Sequence, residues 1–126
     1  MSAIQPISTA GAPAPTGPFN QAVRRGKLIF TAGQAGRNRE TGEMGDAADQ
    51  TNWAMRNIGA ILEAAGASLA DIVKVTLFVK EGVDTGPIND AYKAFFEVLP
   101  ARSLVFVSRL KGPEMMIEIE AVAVVE

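Results

Sequence analysis

The hydrophobic pattern of the chain switches between two periods, and the switches mark its elements. Ala22-Val23-Arg24-Arg25-Gly26-Lys27-Leu28-Ile29-Phe30-Thr31 sets two β-prone runs around one glycine, which predicts a hairpin with a tight turn. Gly33, Gly36, Gly42 and Gly45 then punctuate a loop. From Asp46 the period lengthens. Ala47, Thr51, Ala54, Ile58, Ile61, Leu62 and Ala65 form one apolar helical face, with Asp46 as N-cap and Gly66 as the C-terminal stop. Residues 72–80 are rich in β-branched side chains and read as a strand. A second helix is expected over 85–98, capped near Asp84 or Thr85. Pro87 lies in its first turn, Ile88, Ala91, Tyr92 and Phe95 on its inner side, and Pro100 just beyond it. Two more strands, 103–107 and 115–125, flank a turn around Lys111-Gly112-Pro113. Residues 2–18 hold Pro6, Pro13, Pro15 and Pro18, so this arm should run extended or turning, in solvent or along a sheet.

The resulting order is hairpin, helix, strand, helix, strand, strand. It predicts an α+β fold, one mixed sheet with two helices on a single face. The other sheet face is left open, and an open apolar face usually meets another subunit. A length of 126 residues, with no repeat or linker in view, reads as one domain over 1–126. Hydrophobic residues at 48% and charged residues at 21% are ordinary globular usage.

Two zeros constrain the chemistry more tightly. With Cys 0 and His 0, a disulfide framework, zinc finger, thiol nucleophile, Ser-His-Asp triad or histidine base is excluded. Carboxylates, arginine, lysine, hydroxyls, backbone groups or a borrowed cofactor remain. A net charge of −2 argues against nucleic acid or anionic lipid as a partner. No basic leader and no apolar run of roughly 18 residues is present, so the expected setting is cytoplasmic and free of membrane.

Two places could carry chemistry. Arg102, in Pro100-Ala101-Arg102-Ser103-Leu104-Val105, sits at the mouth of a strand; its planar paired donors match a carboxylate, although a surface ion pair is the commoner role of such a residue. In Ile117-Glu118-Ile119-Glu120-Ala121-Val122-Ala123-Val124, alternation puts Glu118, Glu120, Val122 and Val124 on one face of a strand. Partial burial and mutual repulsion would raise a carboxylate pKa there and give an acid/base group, whereas a solvated end or a pairing with Arg109 or Lys111 would not. Gly33, in Thr31-Ala32-Gly33-Gln34-Ala35-Gly36, would let a ligand approach backbone N–H, but the stretch is no phosphate loop. Arg24, Arg25, Lys27, Arg37 and Arg39 form a basic cluster without interleaved aromatics, read as a solvated hairpin rather than an RNA site. Asn89 reads as solvated or capping, and Trp53 with Met55 as helix packing.

Together these stretches resemble a known family. Gly17-Pro18-Phe19-Asn20-Gln21-Ala22-Val23, Thr31-Ala32-Gly33-Gln34, Thr41-Gly42-Glu43, Ile61-Leu62-Glu63-Ala64-Ala65-Gly66, Asp71-Ile72-Val73-Lys74-Val75-Thr76, Pro100-Ala101-Arg102-Ser103 and Ile117-Glu118-Ile119-Glu120-Ala121 are similar to motifs of the Rid/YjgF reactive intermediate deaminases, in order along nearly the whole chain. The resemblance implies a chorismate-mutase-like α+β fold and a homotrimer with a central barrel and ligand clefts between subunits. It implies hydrolysis of 2-aminoacrylate, 2-iminopropionate and related enamine or imine acids to 2-keto acids and ammonia, with no cofactor and no metal. On that resemblance Arg102 holds the substrate carboxylate, Glu118 positions or activates water, and Asn89 and Gly33 line the cleft from the neighbouring subunit.

The zeros fit such chemistry, because a protonated imine carbon is already electrophilic and needs orientation, one water and a proton acceptor. Three positions depart from the family pattern: Phe19 where tyrosine is frequent, Ala32 where serine is, and Leu104 where cysteine is. They imply a more apolar pocket, a bulkier preferred substrate and a slower reaction. The alternative is a non-catalytic small-molecule-binding or chaperone-like trimer. Members are also described as translation inhibitors or ribonucleases, a reading the acidic composition opposes.

Overall fold

The computed structural model describes residues 3–126. Its elements are β1 (Gln5–Ile7), β2 (Ala22–Arg25), β3 (Leu28–Thr31), β4 (Gln34–Ala35), α1 (Ala47–Ala64), β5 (Ile72–Lys80), α2 (Thr85–Lys93), β6 (Ala101–Val107) and β7 (Ile117–Val124). The strands form one sheet in the order β1-β2-β3-β7-β5-β6, with β4 also on β7. Every ladder is antiparallel except β5–β6, which needs a long crossover and obtains it from α2. The fold is the expected α+β arrangement of two helices on a mixed sheet. Among the described residues no helix is long and apolar enough to cross a membrane.

Local sequence explains the elements. Gly26, at φ 59°, makes the β2–β3 turn, where an L side chain would be strained. Asp46 and Asp49 close a capping box on α1: the Asp46 carboxylate accepts from Asp49 N at 2.9 Å and the Asp49 carboxylate from Asp46 N at 3.1 Å. At the other end, Arg24 Nη1 donates to Ala65 O at 2.6 Å, so this member of the supposed solvated cluster instead closes a helix C-terminus. Met55, Ile58, Ile61 and Leu62 of α1 and Ile88 of α2 are buried against Val75, Leu77 and Val79 of β5 and Ile117 and Ile119 of β7.

Several boundaries differ from the sequence expectation. The second helix stops at Lys93, not residue 98, because Phe95 and Phe96 fold back in turns and Phe96 packs on Tyr92 with ring centroids 5.1 Å apart. The strand expected from 103 begins at Ala101, already paired with Lys74 in the parallel ladder. The last strand starts at Ile117 rather than 115, since Met115 N closes a turn onto Gly112 O and Met116 N bonds to Gln50 Oε1. The proline-rich arm contributes β1 to the sheet edge and is then tied down by Gln21. That side chain, 2% exposed, accepts from Thr9 N and donates to the carbonyls of Thr9, Ala12 and Pro13.

Candidate active site

Register decides which predicted residues can meet. Facing partners in a ladder share a sheet face. Glu118 pairs with Phe78, on the face away from the helices, while Arg102 pairs with the buried, helix-facing Val75. Two strand spacings and three residues of rise put the two positions about 14 Å apart on opposite faces. Within one chain, then, Arg102 and Glu118 belong to two separate groups of residues, each a candidate half-site.

The first half-site is a cavity of about 460 Å³ whose walls include Pro13, Pro15, Phe19, Gly33, Lys111, Met115 and Glu118. Gly33 has a steric reason to be glycine: a Cβ there would strike the Glu118 carboxylate, coming within 2.8 Å of its Cδ and closer still to Oε1. The half-buried Glu118 carboxyl is held above the usual carboxylate range, first by burial and then by the like charge of Glu120, with Lys111 opposing. The alternation read from sequence is observed, with Ile117, Ile119, Ala121 and Ala123 buried and Glu118, Glu120, Val122 and Val124 facing away. No ion pair joins Glu118 to Arg109 or Lys111 among the described residues.

The second half-site lies where β6 leaves the α2 connection. Arg102 Nη1 donates to Asn89 Oδ1 at 2.8 Å, and the guanidinium carbon sits 5.0 Å from the Tyr92 ring centroid. One edge and one face are thereby occupied, and the rest of the exposed fork is free to take a planar anion. The Tyr92 hydroxyl is buried without a partner, and burial raises its pKa against the opposing charge of Arg102.

Within the chain Gly33 lies with Glu118, and Asn89 with Arg102. Phe19 lines the cavity, 46% exposed. Ala32, next to Gly33 in sequence, is half-buried and donates its N–H to Gln21 O at 2.9 Å, outside the cavity lining. Leu104 packs against the core near the Arg102 half-site.

The endoribonuclease L-PSP family matches residues 9–125 of this sequence. The chain belongs to that family. It is the Rid/YjgF family whose motifs the sequence resembles. A RutC family protein of Pyrococcus horikoshii is 48% identical over 93% of this chain and 94% of its own. The 2-iminobutanoate/2-iminopropanoate deaminase of Escherichia coli is 46% identical over 94% of this chain and 95% of its own. The crystal structure of Escherichia coli TdcF with bound serine superposes with a TM-score of 0.91 at 40% identity, covering 97% of this chain and 99% of that one.

In this family member three buried amides escaped sequence reading. Gln21 shapes the cavity wall, Gln50 bonds Gly45 O, Glu114 O and Met116 N, and Asn57 Nδ2 donates to Arg37 O at 2.9 Å. A polar letter in the apolar face of α1 was the only signal of Gln50 and Asn57, and Gln21, in the loop before β2, carried none. Tyr92, read as helix packing, is buried as expected but also forms the seat of Arg102.

Proposed function

We propose that this chain is a cofactor-independent deaminase that hydrolyses enamine or imine acids of the 2-aminoacrylate and 2-iminopropanoate type to 2-keto acids and ammonia. The observation that carries this reading is 46% identity across 94% of the chain to a 2-iminobutanoate/2-iminopropanoate deaminase, with Arg102 and Glu118 both present. The bound serine in the TdcF structure supports a small carboxylate-bearing ligand.

In the proposed reaction Arg102 takes the substrate carboxylate as a paired-donor fork, and Glu118 orients a water against the protonated imine carbon. The water forms a C–O bond and its proton passes to Glu118 and on to nitrogen. As the C–N bond of the N-protonated carbinolamine breaks, its hydroxyl gives its proton to Glu118, ammonia leaves and the keto group remains. An enamine first takes a proton at its terminal carbon to become the imine. Phe19 and Leu104 supply apolar surface, Gly33 and Asn89 bring backbone and amide groups to the cleft, and Ala32 backs Gly33 from outside the cavity wall.

Because the half-sites lie on opposite faces, the working site needs two chains, and the proposed assembly is a homotrimer whose sheets form a central barrel. An apolar open face supports this: Leu28, Phe30, Val105 and Val124 are 44%, 45%, 43% and 38% exposed on it. Freshly generated 2-iminopropanoate and a panel of larger imino acids test the reaction. The protein should accelerate keto-acid release at least a hundredfold over buffer, the scale of one positioned acid–base group, and Arg102→Ala should abolish it. Activity surviving Arg102→Ala removes the carboxylate clamp. Inertness of the unaltered protein across the panel favours the ligand-binding reading, for which the missing hydroxyls of Phe19 and Ala32 speak.

A further inference from the structure

Lys111 belongs to two spaces at once. Besides the cavity over Glu118, it borders a groove of about 300 Å³ together with Lys80 and Arg109, and Gly112 is likewise common to both. The protein carries a net charge of −2, yet the charged side chains on these joined walls are Arg37, Lys80, Arg109 and Lys111 against the single carboxylate of Glu118. Among the described residues none of the four cations has an ion-pairing carboxylate, because the one ion pair joins Lys93 to Asp90 on α2. Lys111 Nζ donates to Thr16 Oγ1 at 3.2 Å, which anchors the ammonium at the cavity wall and leaves its other N–H groups free. Concave walls of one sign concentrate potential and favour an anion.

In the proposed reaction the reacting carboxylate belongs to Arg102, on the opposite sheet face, so the cations beside Glu118 meet a different part of the ligand. The size of the cavity agrees, since about 460 Å³ is within the range that encloses drug-sized molecules and exceeds what a four-carbon imino acid fills. We propose that the preferred ligand of this site carries a second anionic group, a carboxylate or phosphate at the far end of its side chain, received by Lys111 with Arg109 and Lys80 behind it. This rests on the imine-hydrolysis reading and narrows its substrate class to dianionic imino acids.

Calorimetric titration with 2-oxobutanoate, 2-oxoglutarate and the phosphonate analogue of the latter reads the proposal without turnover. At least one dianion should bind about tenfold more tightly than the monoanion, the margin of one charge-assisted contact. Lys111→Met should erase that margin, and the dianion that gains shows whether carboxylate or phosphate is preferred. Comparing ligands within each variant cancels general losses of folded protein. Equal affinities, no binding of any of the three, or a margin that persists when Lys111→Met and Arg109→Met are combined overturns the proposal. Turnover of the imines of all three keto acids, measured separately, isolates the two readings. Turnover with equal affinities sinks the second-anion site alone, and dianion preference without turnover sinks the enzymatic reading alone.

Discussion

Glu118 sits where burial and the Glu120 carboxylate both keep a proton on it above the usual carboxylate range, while Lys111 pulls the other way. In the proposed reaction Glu118 must be deprotonated to orient water and take its proton, so kcat/KM should fall toward acid with a midpoint higher than that of a free glutamate. Glu120→Gln removes the one charge that raises it, leaving burial as the other cause, and should move this limb to lower pH, read from a pH–rate profile; an unmoved limb assigns the titration elsewhere. The linkage sign is fixed by the same shift. A folded-state pKa raised above the unfolded value stabilises the protein at acid pH, and that contribution is lost as pH rises through it, so Glu118→Gln should melt higher than the unaltered protein at neutral pH while losing activity. The support of Arg102 gives a second residue-scale prediction. Cation–π contact is worth roughly 0.5–2 kcal/mol, so Tyr92→Leu should raise KM about two- to thirtyfold with kcat held within about twofold. Tyr92→Phe keeps the ring, deletes an unpartnered buried hydroxyl, and should restore KM. The carboxylate pair was legible in the sequence because a strand's period is two. The seat of Arg102 was not, because Asn89 and Tyr92 reach it across the end of a helix whose length the sequence overstated.

Elements were legible wherever their own residues carry the signal. The capping box at Asp46, the turn at Gly26 and the apolar faces of α1, β5 and β7 follow from local propensity and period. The short strand β4 was not announced and β1 was only one of two courses open to the proline-rich arm, since their ladders are supplied by β7 and β2, away in sequence. Buried amides were equally silent. A binary pattern scores Gln50 as a polar break in the α1 face, yet it is fully buried and satisfies three backbone groups that hold the start of α1 to the segment leading into β7. Gln50→Leu preserves volume but orphans Gly45 O, Glu114 O and Met116 N at a cost of about 1–3 kcal/mol for each group left buried. Thermal denaturation should show a fall in Tm of at least about 4 °C. A melting temperature equal to that of the unaltered protein would mean that water replaces the amide.

At the scale of the molecule the decisive fact is topological. The order β7-β5-β6, with β5 and β6 parallel, places Glu118 and Arg102 on opposite faces, a relation the sequence could not disclose because it depends on which strands neighbour one another. The open apolar face was foreseeable from the alternation along β7 and a cleft between subunits from the family resemblance, whereas which candidate residues share a sheet face was not. The division makes the proposed assembly testable by complementation. Arg102→Ala and Glu118→Gln each leave one half-site intact, so neither variant alone should be active. Co-expressed in equal amounts and assembling at random, the two variants form interfaces that combine an intact Arg102 from one chain with an intact Glu118 from its neighbour in about a quarter of cases, by the closed symmetry of a cyclic oligomer. Activity should therefore return to about a quarter of that of the unaltered protein. Mixing the two variants after assembly should restore activity only as subunits exchange. A site completed within one chain would yield none under either protocol, and light scattering on the co-expressed sample should give a trimeric mass. Phe30→Lys, which puts a charge into the middle of the open apolar face, should lower both that mass and the recovered activity together.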